Sequence, residues 1–66
     1  MKMAELKVGD LITVTFNGVM PDGRLVAKYD SYIVVARDVT LFGTYLVRVV
    51  SIVGRVVYAE KELRAT

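Results

Sequence analysis

The chain has no cysteine and no histidine among its 66 residues. Without thiols there is no disulfide and no thiolate-held metal. Without imidazole the commonest general base and metal ligand is missing too. No apolar run approaches the ~20 residues that a membrane-spanning helix needs. The opening Met1-Lys2-Met3-Ala4-Glu5 holds no signal-peptide core, so the expected location is cytoplasmic. Neither sign of charge dominates: nine Lys+Arg against seven Asp+Glu leave +2. That excess is too small to establish nucleic-acid binding by itself.

What is abundant is aliphatic. Hydrophobic residues make up 55 % of the sequence, and valine alone occurs 13 times. Such a chain is too apolar for a disordered tail. Its length allows one domain, residues 1–66, with a thin core, because a chain this short buries only ~60 % of the surface its unfolded form exposes.

Turn chemistry divides the sequence into short β-rich runs. In Leu11–Phe16, Ile12, Val14 and Phe16 alternate with Thr13 and Thr15, the period of a half-buried strand. Asn17-Gly18 ends this run, and Pro21-Asp22-Gly23 reads as a loop. In the second run, Arg24–Tyr29, Lys28 marks the outer face and sends Leu25, Ala27 and Tyr29 inward. Asp30-Ser31 is a tight turn. The third run, Tyr32–Ala36, is apolar throughout, so periodicity cannot orient it. Arg37–Thr44 reads as a short loop or 3₁₀ turn, with Asp38 as a cap. The fourth run, Tyr45–Ile52, has Arg48 outward and Tyr45, Val47 and Val49 inward. Gly54-Arg55 is the next turn, or Val53-Gly54 a bulge. In the last run, Val56–Glu60, Val56, Tyr58 and Glu60 point outward. Lys61–Thr66 reads as a frayed end.

Five strands with turns every eight to twelve residues predict an all-β fold, a five-stranded antiparallel small barrel. Closure buries one valine-rich face and removes two sticky edges. The expected core is Ile12, Val14, Ala27, Val47, Val49 and Ala59.

The order of these signals resembles the TRAM domain, a small RNA-binding barrel related to OB-folds that also occurs as a stand-alone archaeal protein. Leu6-Lys7-Val8-Gly9-Asp10 before an alternating strand is similar to the family's opening. Gly23–Ala27 stands at its Gly-x-Gly-hydrophobic-Ala step, with Leu25 in place of the second Gly. Lys28–Val35 looks like its charged-hydrophobic-Asp turn and third strand, followed by Ala36-Arg37 where the family has Val-Pro. Gly43 precedes Val47-Arg48-Val49, and Tyr58-Ala59-Glu60 is similar to its aromatic-Ala-Glu close. The resemblance covers roughly Leu6 to Glu60. It implies RNA binding of low sequence specificity, with an RNA-chaperone-like role and single-stranded or structured RNA, tRNA included, as the partner.

No catalytic constellation stands against this. No His or Cys serves as base or nucleophile, and no phosphate-binding or dinucleotide fingerprint occurs. The acids Asp10, Asp22, Asp30 and Asp38 fall at turns, where carboxylates bond to nearby backbone N–H groups. The chain therefore reads as a non-enzyme without cofactor or metal. The feature that suggests a ligand is basic residues interleaved with aromatics. Arg24, Lys28, Arg37, Arg48 and Arg55 can neutralise phosphates; Tyr32, Tyr58 and Phe42 can stack on unpaired bases. Phe42 reads either as a stacking platform or as a plug on the barrel end. The expected RNA site is Lys28, Tyr32, Arg37, Phe42, Arg48, Arg55 and Tyr58. Three to five such contacts imply a salt slope of roughly −2 to −4 in log K against log salt. The rival reading is a protein-interaction or self-assembling barrel, a weak homodimer included, with Val50, Val56 and one of Ile33 or Val35 as its apolar patch.

Overall fold

The computed structural model of the protein describes residues 5–62. They form six strands: β1 (Leu11–Thr15), β2 (Gly18–Val19), β3 (Leu25–Tyr29), β4 (Tyr32–Ala36), β5 (Thr44–Val53) and β6 (Val56–Lys61). All belong to one curled sheet of order β1-β5-β6-β4-β3-β2. The fold is all-β, and it differs from the expected five antiparallel strands in two ways. A sixth, two-residue strand is present, and β4 pairs with β6 in parallel. The parallel pair follows from spatial order: the β5–β6 hairpin swings back so that β6 lies between β5 and β4, running with β4.

The extra strand arises at a bend. Phe16 N donates to Gly43 O at 3.0 Å, whereas Asn17 N donates to Val26 O at 3.1 Å. Between these two adjacent residues the chain changes partners, from the β5 side to β3. Asn17-Gly18 therefore turns the strand rather than ending it. Glycine suits this position, because a Cβ on Gly18 would stand 2.6 Å from Val26 Cγ2 and the valine side chain would have to shift. β1 and β2 lie at opposite ends of the sheet order, so this junction brings the two ends together. β1 also packs against β3 across the seam.

The strand alternation fills the interior. Ile12 and Val14, Leu25 and Ala27, Val34 and Ala36, Val47 and Val49, and Val57 and Ala59 all point into one cluster. Phe16 is its largest fully buried side chain. All six expected core residues are buried. Burying each aliphatic side chain contributes about 1.5–3 kcal/mol relative to leaving it exposed. Tyr29 and Tyr45 pack half-buried at the margin of the cluster.

The Gly54-Arg55 turn stands where it was expected, while other connections differ in detail. Gly54 has φ +61 and Arg55 does not share it, the pattern of a type II′ hairpin turn. The bulge lies instead at Val50, between Val49 and Ser51 in the β5–β6 ladder. The segment 37–43 is a loop, as read, but Asp38 caps no helical turn. Its Oδ1 accepts a bond from Lys61 N at 3.4 Å and ties the loop to the end of β6. Tyr45 Oη accepts a bond from Thr40 N at 3.2 Å and shares one with Thr40 Oγ1 at 2.8 Å. Lys61 is thus part of β6, and Glu62 N donates to Leu46 O at 2.9 Å. The rest of the expected frayed end, residues 63–66, lies outside the described residues.

Candidate nucleic-acid interface

The ladders place the outward side chains of β3, β4, β6 and β5 in three rows across the sheet. The first row is Lys28, Ile33, Val56 and Val53. The second is Val26, Val35, Tyr58 and Ser51, with the bulged Val50 beside it. For the third, Leu25 pairs with Ala36 and Arg48 with Glu60. One step beyond Leu25 and Ala36, Arg24 and Arg37 therefore stand in line with Glu60 and Arg48. Strands lie ~4.8 Å apart, so this charged row spans about 14 Å. The second row carries no charge.

Where these rows meet, a shallow groove of about 410 Å³ opens. Val35, Val50 and Tyr58 contribute its apolar surface, and Arg24, Arg37, Asp38 and Glu60 its polar surface. Val35 is only 4 % exposed although it lies outside the inner cluster. Tyr58 is 38 % exposed, so part of its ring faces solvent.

Two of the expected residues, Arg37 and Tyr58, come together in this groove. Arg48 lies in the charged row but is held by Glu62, with Nη2 2.5 Å from Oε1. Lys28 is exposed at the far corner of the first row. Tyr32 and Arg55 meet at the opposite end of the curled sheet. There the guanidinium lies 5.7 Å from the ring centroid, and Arg55 Nη1 donates to Ser31 Oγ at 2.6 Å. Tyr32 packs half-buried against the core, with this arginine over it. Phe42 stands apart on the 37–43 loop, 72 % exposed. It is no plug; Val39, 8 % exposed and part of the core cluster, fills that place. Of the two orientations left open for β4, both Ile33 and Val35 lie on the outer face.

Arg24 belongs to the groove but not to the expected site. The signal for it was available. A two-residue turn at Asp30-Ser31 fixes the register of the strands on either side, and counting outward from it lands Arg24 opposite Arg37. Arg24 is oriented by Asp22: its backbone N and Nε donate to the two carboxylate oxygens at 3.1 and 2.8 Å. The bond from Arg24 N, followed by the attraction of the guanidinium, holds the Asp22 carboxyl below its ordinary value. The arginine side chain is 30 % exposed in the pair with Asp22 and 50 % exposed in the pair with Glu62. Solvent screens such pairs, and a phosphate can displace the carboxylate.

Among the described residues no three His, Cys, Asp or Glu side chains cluster as metal ligands. No helix among them is long and apolar enough to cross a membrane. Compared with known proteins, the sequence matches no family model and no curated protein significantly.

Proposed function

We propose that the chain binds single-stranded or unstacked RNA with low sequence specificity, in an RNA-chaperone-like role. The observation that carries this reading is the pair of adjacent rows on the outer face. Arginines 24, 37 and 48 line one, and the exposed ring of Tyr58 lies on the uncharged other. A single strand laid across the sheet would rest its phosphates on the first row and its bases on the second. Arginine reads a phosphate through two donors at once, and a tyrosine face accepts any base. Topology supports the same reading. If β1 and β2 are taken as one bent strand, the order closes on itself with a parallel pair between β4 and β6, as in OB-like barrels. This is also the arrangement that a TRAM-like chain would adopt. Glu60 and Asp38 beside the arginines keep the field weak, so affinity is modest.

The test is a fluorescence-anisotropy titration with a short unstructured oligouridylate at several salt concentrations. Three arginine contacts give a slope of roughly −2 in log K against log salt. Tyr58→Ala should weaken binding by about 1–3 kcal/mol and leave the slope unchanged. Arg37→Ala should flatten the slope by ~0.7. No binding by the parent at low salt, or binding indifferent to salt, would sink the proposal.

A further inference from the structure

The outer face carries a second pattern, in its charges. Arg24 is paired with Asp22 and Arg48 with Glu62. Among the described residues, neither Arg37 nor Glu60 has an oppositely charged group within ion-pair distance. The two stand in the same row, Arg37 one step past the end of β4 and Glu60 on the neighbouring β6. Below them the same two strands carry only Val35 and Ile33 on one side and Tyr58 and Val56 on the other. We infer that this face is where two copies of the chain meet, sheet on sheet, about a two-fold axis parallel to the strands between β4 and β6.

Such an axis exchanges columns and preserves rows. It lays β4 of one copy on β6 of the second. Arg37 then faces Glu60 of the second copy, and Glu60 faces its Arg37, so two ion pairs form across the axis. Val35 meets Tyr58, and Ile33 meets Val56. Arg24 is brought toward Arg48, but each already carries its own carboxylate. Lys28 falls on the rim, where its ammonium reaches water. The same patch serves both copies, which makes the interface self-complementary and closed at two. The contact is small. Four strands at ~4.8 Å and three rows at ~6.7 Å span roughly 400 Å² per copy, about half of a standard stable interface. Association is therefore weak and reversible, and the charge pairs set its register more than its strength. This inference stands independently of the RNA reading. Where both hold, they compete, because the dimer covers Arg37 and Tyr58.

The experiment is sedimentation equilibrium of the full chain from roughly 10 µM to 1 mM, the range of weak association. Circular dichroism serves as folding control. The parent should move from monomer to dimer across this range. Arg37→Glu sets carboxylate against carboxylate at both contacts and should weaken association at least ~10-fold. Glu60→Arg should do the same with guanidinium groups. The double exchange, Arg37→Glu with Glu60→Arg, should restore the parent's association within ~3-fold, which only a direct pairing predicts. A parent that stays monomeric overturns the inference. So do single variants that associate like the parent, or a double variant that fails to recover.

Discussion

Phe42 holds φ +68 with most of its ring in solvent. For an L-residue the left-handed region costs about 1–2 kcal/mol, and no burial of this side chain offsets it. The conformation is imposed by the backbone around it. Phe42 N donates to Phe16 O at 2.5 Å, and Gly43 N to Thr40 O at 3.0 Å. Phe42→Gly should therefore raise stability by about 0.5–1 kcal/mol in urea denaturation, after the entropy of the added glycine is deducted. Phe42→Ala should stay near the parent. A glycine variant no more stable than the alanine one would show that the backbone here is unstrained. Position 42 also shows where sequence reading ended at this scale. Parity gives direction along a strand, but in a loop the choice between plug and platform depends on bonds to distant residues. Arg48 was legible as outward; that Glu62 holds it was not, since the tail offered no periodicity to place it.

Among the elements, β1, β3, β5 and β6 were readable because one face is buried and the other is not. β4 was unreadable for the opposite reason. Its inward Val34 and Ala36 are buried, and so is its outward Val35. A strand apolar on both faces leaves no alternation to detect. β2 escaped because two residues carry no period, and its pairing is decided by the bend before it. The 37–43 loop gives the element-scale prediction. A Cβ on Gly43 would stand 2.6 Å from Tyr45 Cε2, 2.9 Å from Thr40 Oγ1 and 3.1 Å from Thr40 O. The carbonyl is backbone and cannot swing aside, so the turn must open and the Thr40–Tyr45 bonds with it. Gly43→Ala should cost about 1–3 kcal/mol. Thermal denaturation would measure it, and an unshifted midpoint would mean that the loop relaxes freely.

At the scale of the whole molecule, one thin core serves every strand. Val47, on β5, is fully buried within the core cluster. A carboxylate there has neither water nor partner, and its desolvation rivals the ~5 kcal/mol total stability of a marginal domain. Val47→Asp should show no cooperative unfolding transition by circular dichroism; a normal transition would reverse the inward assignment of β5. The number and order of strands along the chain were legible at this scale, apart from β2. Their order in space was not, because pairing between distant strands leaves no local mark. The bend at Phe16-Asn17, which brings the ends of the sheet together, also sets a schedule for the ribosome. β1 finds its ladder partner in Thr44–Arg48, far later in the chain. Until that segment is out of the exit tunnel, β1 has nothing to pair with on that side, and Phe16 has no cavity to fill. The hoop can be closed only once β5 is made, so every shorter length of the nascent chain is held open by its own topology.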